Sequence, residues 1–459
     1  MPNETLSEKL SSHYATLRCA QIPHEVVDAA KLHILDSLGC LLAGARLEPG
    51  RLAYDLAVAT SECSTRLNST LFGTSQSVGY LDAVQAMATA AHCGELDDIH
   101  GGAGTCIGAM IVPGLIAVAE KHGGSGQRFL SATIAGYETI ARVGLTIDAP
   151  KLFARGWWPS TVCGAFGVAA AGAKFLNWPA EQMVNCLGIA SLLTGGMLTG
   201  GQEGATARHL VFGRAAQNGI LALQATEHGL SGPRHAFEDP RGFCLTLSAE
   251  PRWKYLQDFD KFYLPEVAFK PYPCARQLHA GVEALLKLIQ QDEIVPTAIE
   301  TIELFVPTQN AAMVNRPRMP SSRAATLGSG QYVMAVTALR RKIDLASFED
   351  ENLHSEDVHQ LMAKVRVSAC AELDRHFPQY WSGRVTVNLK DGRTLSEEVI
   401  VPKGERENPM MRADLEAKFL QLAAPVLGEA KATSVMTEVD LLDERESLEP
   451  LLAALSRPI

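Results

Sequence analysis

Within the stretch ELDDIHGGAGTC the sequence sets Glu95, Asp97, Asp98, His100 and Cys106 close together, just ahead of an apolar run beginning at Ile107. A core helix has no packing use for acids and an imidazole at that density, because buried charge is costly unless it is paired. Gly101, Gly102 and Gly104 let the chain turn tightly and approach another group closely, as the wall of a pocket requires. Cations come from two other segments: Lys270, Arg276 and His279 in FKPYPCARQLHAG, and Arg208, His209 and Arg214 in GGQEGATARHLVFGRAAQNG. Tyr332 in SGQYVMAVTAL adds a hydroxyl. Together these groups can remove a proton beside a carboxylate, protonate a leaving group and neutralise the charge that develops, with no cofactor and no metal. The same segments also suit solvated loops at helix starts, so the residues alone leave both readings open. No Walker A sequence, no GxGxxG after a strand, no HExxH and no GxSxG occurs, which removes support for nucleotide, zinc-protease and serine-hydrolase chemistry.

The elements that must position these groups fall into three stretches. From residue 24 to 248 the chain is a succession of Ala/Leu/Gly-rich helical patterns such as HEVVDAAKLHILDSLGCLLAG and TVCGAFGVAAAGAKFL, whose small residues predict close helix packing. Past residue 265 the pattern turns β-rich in IETIELFVP, KVRVSA and RVTVNL-KDGR-TLSEEVIVP, with Asp391-Gly392 supplying a hairpin turn. Helical stretches such as LHAGVEALLKLIQ lie between, and the tail, with ADLEAKFLQLAAPV, returns to helix. The expected fold is mainly α with an α+β part. A large all-helical domain is built from residues 1–265 plus 403–459, and a smaller α/β lid is inserted at 266–402. The cleft between them is the expected active site.

Composition limits the partners. The chain has 459 residues, 47% hydrophobic and 20% charged, with a net charge of -10, which argues against nucleic acid and acidic membranes as partners. Ten cysteines are scattered without a CxxC pair and read as reduced thiols of an intracellular protein. The N-terminus has neither signal-peptide nor transit character, and the apolar run IGAMIVPGLIAVA is short and broken by Pro113, so a cytoplasmic protein is expected.

In their order and separation, several segments resemble the MmgE/PrpD family of dehydratases, decarboxylases and epimerases: LDSLGCLLAG, ELDDIH, GYETIARVG, GWWPSTVCGAFGVAAAGAK, GRAAQNGILALQATEHGLSGP, KPYPCARQLH, QYVMAVTAL and VPKGERENPM. The resemblance implies a helical domain with an α/β lid, a homodimer and a cofactor-independent lyase acting on a small di- or tricarboxylate, an alkylcitrate- or aconitate-like acid. It implies that Asp97 and Asp98 orient the site or act as base, that Arg208 and Lys270 grip carboxylates, that His279 supports the grip, and that Tyr332 donates a proton. Two family histidines look replaced, by Cys106 and Trp158, and a lysine by Arg208. His100 or His209 then stands as a substitute acid/base, Cys106 as a further proton carrier, and Trp158 as the apolar wall of a pocket suited to an alkyl-bearing substrate. An epimerase using Cys106 with Lys270 or His100, and a non-catalytic anion- or partner-binding member, are the alternatives.

Overall fold

Small residues at helical spacing draw the helices together at backbone distance. In the computed structural model, which describes residues 4–61 and 69–456, the Gly126–Thr146 and Pro159–Phe175 helices cross at Gly136 and Gly167. A Cβ on Gly167 would stand 2.8 Å from the Gly136 carbonyl oxygen, and one on Gly136 would stand 3.1 Å from the Gly167 oxygen, so larger residues would separate the helices. Around this crossing pack the His24–Gly44, Tyr80–Cys93, Gly108–His122 and Leu210–Glu227 helices, with Met110, Ile140, Phe166 and Ile220 in one continuous core.

The tail belongs to the same core. Phe419 and Val426 of the Arg412–Leu427 helix, and Val435 and Val439 of the Glu429–Asp440 helix, are buried within it. The Arg412–Leu427 helix lies along His24–Gly44, where Phe419 fills the space left by Gly39. Its Lys418 forms an ion pair with the buried Asp36 at 2.6 Å and donates to the carbonyl oxygens of Leu96 and Lys270 at 2.8 and 2.9 Å. The tail thereby holds two segments that carry candidate site residues.

The second core runs from Cys274 to Val399. Its four-stranded sheet has the order Val365–Ala369, Ile299–Val306, Gly383–Leu389, Thr394–Val399, with the first pair parallel and the others antiparallel. Ile302 lies opposite both Val365 and Val387. Alternate residues of Gly383–Leu389 are buried, as a half-covered strand requires, and the His279–Gln291 and Gly330–Arg340 helices cover the sheet. The Asp391-Gly392 turn forms as its chemistry predicts, with Gly392 at φ 88°.

Two stitches join the cores. Ile99 and Ala268 exchange backbone hydrogen bonds of 2.9 and 2.8 Å, which brings Lys270 over the acidic motif. Trp381, from the inserted region, is buried in the helical core. Among the described residues no helix is long and apolar enough to cross a membrane.

Candidate active site

The Tyr80–Cys93 helix stops at Gly94, and the next residue, Glu95, takes a left-handed backbone conformation at φ 52°. That conformation is uncommon for a residue with a side chain and persists where surrounding contacts enforce it. Two cations hold the side chain of Glu95. Glu95 accepts from the Arg208 guanidinium on one oxygen and from the Lys270 ammonium, at 3.2 Å, on the other. Burial pushes the Glu95 carboxyl upward, but Arg208 and Lys270 outweigh it and hold the group well below the usual carboxylate range.

Lys270 is the centre of the cluster. Its Nζ also lies 3.6 Å from Asp97 Oδ1 and 3.9 Å from Cys106 Sγ. Burial draws the ammonium down, while the Asp97 and Glu95 carboxylates oppose this and favour the charged lysine. Cys106 is itself a protonated thiol, since burial lifts it well above the usual cysteine range despite Lys270. Asp97 accepts from His92 Nδ1 at 2.9 Å, and both side chains are buried. His92 is stacked on Phe212 with ring centroids 3.4 Å apart and meets the edge of Trp158 at 5.8 Å. Arg208 lies over the Trp158 ring, 5.0 Å from its centroid.

His92, Glu95, Cys106, Trp158, Arg208 and Lys270 line a cavity of about 70 Å³ between the two cores, bounded on the inserted side by Arg276, Met313, Arg316 and Trp381. Arg316 donates to the carbonyl oxygens of Gly201 and Met313 at 2.8 and 3.0 Å, and among the described residues no carboxylate lies within ion-pair distance of it. His92, Asp97 and Cys106 place N, O and S atoms within 4.8 Å of one another, but a divalent metal among them would face the repulsion of a cation already in place. The Lys270 ammonium already supplies positive charge at that place.

The sequence-predicted residues separate into groups. Cys106, Trp158, Arg208 and Lys270 line the cavity, and Asp97 lies behind its wall against Lys270 and His92. Asp98 instead accepts four hydrogen bonds, from the Ile107 and Gly108 amides at 3.2 and 2.8 Å, Tyr137 Oη at 2.7 Å and His33 Nδ1 at 2.8 Å, and so fixes the start of the Gly108–His122 helix. His279 is held between the Arg276 guanidinium and the Cys274 carbonyl oxygen. Tyr332 is buried in the second core, where its hydroxyl donates to the Ser347 carbonyl oxygen. His209 is fully buried behind His92, its ring centroid 5.5 Å away, and burial holds it neutral. His100 turns from this cavity into a second, larger one of about 620 Å³ beside Lys261, Tyr263 and Glu266.

His100 carries a testable consequence. Its Nδ1 accepts from the Ala103 amide, and burial lowers its pKa from the ordinary 6.5 to about 4. The folded state therefore keeps the ring neutral where the unfolded chain would protonate it. The stability this protects is complete above about pH 6.5 and is lost as pH falls towards 4, about 3 kcal/mol in all. In thermal melts from pH 7 to 4, His100→Asn is expected to lose correspondingly less stability than the parent protein; parallel curves would contradict the assignment.

Sequence reasoning passed over three site residues. Glu95 stands in the motif with nothing to separate it from the other acids; His92 lies in the last turn of the preceding helix, and its position five residues before Asp97 is the available signal. Arg316 lies in an irregular segment with no motif to mark it.

Comparison with known proteins identifies the family. The MmgE/PrpD N-terminal domain model matches residues 8–256, and the MmgE/PrpD C-terminal domain model matches residues 272–444. The chain belongs to the MmgE/PrpD family. Among relatives in the MmgE/PrpD family, it is similar to a cis-aconitate decarboxylase of Aspergillus terreus, 28% identical over 471 residues, covering 97% of this chain and 95% of the relative. It is also similar to a cis-aconitate decarboxylase-like protein of Aspergillus oryzae, 26% identical with coverage of 99% and 98%, and to the cis-aconitate decarboxylase of Homo sapiens, 26% identical with coverage of 99% and 95%.

Proposed function

We propose that this MmgE/PrpD chain is a lyase that releases carbon dioxide from a small unsaturated tricarboxylate of the aconitate class. The observation that carries the reading is the convergence of Arg208, Lys270 and Arg316 on one largely buried cavity beside the His92–Asp97 pair. Two or three cations in fixed positions match the carboxylates of such a substrate, and Arg316, unpaired by any described carboxylate, is the first to receive one. Membership of the family and the decarboxylase names of its relatives support lyase chemistry over simple anion binding. The cavity is small for a tricarboxylate, so we infer that the inserted region, residues 266–402, acts as a lid that moves to admit it.

In this scheme the carboxylates that remain in the product are held by the cations, which also stabilise the charge left when the carbon–carbon bond breaks. Trp158 and Trp381 exclude water from the carbanion. Dehydration of an alkylcitrate-like acid would use the same grip. Epimerisation has less support: it needs proton carriers on two faces, and His100 stands in the other cavity while burial keeps Cys106 protonated.

The deciding experiment incubates purified protein in deuterated buffer with cis-aconitate, methylcitrate and amino-dicarboxylic acids and follows products by NMR. Carbon dioxide release with deuterium in the product is the expected result. Exchange with inversion and no loss of carbon would establish an epimerase instead, and binding without turnover would remove the catalytic reading. Arg316→Ala is expected to raise KM roughly 10- to 100-fold with a smaller change in kcat, as loss of a charged hydrogen bond of about 1.5–3 kcal/mol implies. An unchanged KM would place the carboxylate grip elsewhere.

A further inference from the structure

We propose that His92 is the proton donor of this site, with Asp97 as the residue that positions it. The inference rests on the lyase reading above and assigns its acid. His92 closes the Tyr80–Cys93 helix, and Asp97 lies across the turn that Glu95 makes possible. Nδ1 points to Asp97 at 2.9 Å, so this nitrogen carries its hydrogen towards the carboxylate and leaves Nε2 as the working atom. Nε2 is buried and has no hydrogen-bond partner among the described residues; the nearest charged oxygen, Glu95 Oε1, is 3.9 Å away. A buried ring nitrogen without a partner is destabilising, and one that lines a cavity is accounted for by a group that enters the cavity. Phe212 on the ring face and Trp158 on its edge leave the imidazole no freedom to turn away.

The other groups on the cavity cannot take the part. Trp158 has no titratable proton. Cys106 faces Lys270 as a thiol in a buried setting, and the ammonium of Lys270 is tied to Glu95 and Asp97. Among the histidines singled out in the sequence, His100 opens on the second cavity and neither His209 nor His279 lines this one.

The step balances as follows. In the proposed cycle His92 begins with a hydrogen on each ring nitrogen, Nδ1 donating to Asp97 and Nε2 facing the cavity. The carbon–carbon bond to the departing carboxylate breaks, carbon dioxide leaves, and the electron pair passes into the allylic system next to a retained carboxylate. The carbanion then takes the proton from Nε2, which leaves neutral imidazole still donating from Nδ1 to Asp97. Water returns one proton to Nε2 after the product departs.

His92→Asn tests this, because the amide can keep the hydrogen bond to Asp97 while deleting Nε2. The expected result is a fall in kcat of roughly 10²- to 10⁴-fold with KM within a few-fold of the parent value. Deuterium delivered to the product from D₂O should be confined to one face in the parent enzyme and scrambled in the residual activity of the variant. A folded variant that keeps kcat within ten-fold, or keeps the single-face label, overturns the assignment. Should the variant not fold, ¹⁵N-histidine NMR on the intact enzyme decides: tricarballylate, a saturated tricarboxylate, should shift the His92 Nε2 resonance, and an unmoved resonance in the saturated complex also overturns it. Absence of carbon dioxide release by the parent enzyme would instead defeat the lyase reading, so the two failures are distinguishable.

Discussion

Lys270→Met should abolish carbon dioxide release and lower stability by about 3–5 kcal/mol, the range seen when one partner is removed from a buried charge pair. The ammonium lies 3.2 Å from Glu95 Oε2 and 3.6 Å from Asp97 Oδ1, and its side chain is 1% exposed, so its loss leaves carboxylates facing one another without solvent. Arg208 still neutralises part of Glu95, which places the expected stability loss towards the lower end. Lys270→Met combined with Glu95→Gln should recover most of the stability and none of the activity, because the charge imbalance is relieved while the carboxylate grip stays lost. Urea unfolding and the NMR assay separate the two effects. Recovery of activity in the double variant would remove Lys270 from substrate binding, and failure to recover stability would mean that Asp97 is its principal partner.

The cluster explains how far the site was legible in the sequence. The density of Glu95, Asp97 and Asp98 was visible as a departure from core composition, and the cation-bearing segments were visible as polar interruptions at the edges of helices. Secondary structure was legible for the same physical reason: small-residue helices and the Asp391-Gly392 hairpin are set by local chemistry, and both form. Direction was not legible. Asp97 and Asp98 are neighbours in the chain, yet one faces Lys270 and the other the helix start at Gly108, a difference decided by the turn at Glu95. Tyr332 sits at the beginning of the Gly330–Arg340 helix, and whether its ring meets substrate or the second core depends on how that helix packs against the sheet. Arg316 reaches the cavity only because the inserted region folds over the helical one, and nothing in its local sequence encodes that approach.

Asp98→Ala should be the most damaging single change outside the cavity, costing about 4 kcal/mol or more, because it orphans four buried donors at once. The Ile107 and Gly108 amides, Tyr137 Oη and His33 Nδ1 all converge on this carboxylate, and each buried donor left unmade costs about 1–3 kcal/mol. No larger residue can fill the gap from Gly108, where a Cβ would stand 2.1 Å from Ser37 Oγ and 2.5 Å from Tyr137 Oη. Asp98→Asn keeps an acceptor for the two amides but turns an NH₂ towards Tyr137 and His33, so a smaller loss, about 2 kcal/mol, is expected. Burial raises the Asp98 carboxyl, yet His33 and Tyr137 outweigh this and hold it below the ordinary aspartate value. Its contribution is therefore complete above about pH 4 and disappears as pH falls through the lowered value, so the stability gap between parent and Asp98→Asn should close in acid. The helix start that Asp98 fixes follows directly on Cys106, whose own amide donates to Ser160 Oγ at 3.0 Å, so the variant disturbs the cavity through its frame. Kinetics on the folded fraction of Asp98→Asn at low temperature should then show kcat reduced far less than in His92→Asn. An unchanged melting temperature with complete loss of turnover would move Asp98 from the frame into the chemistry.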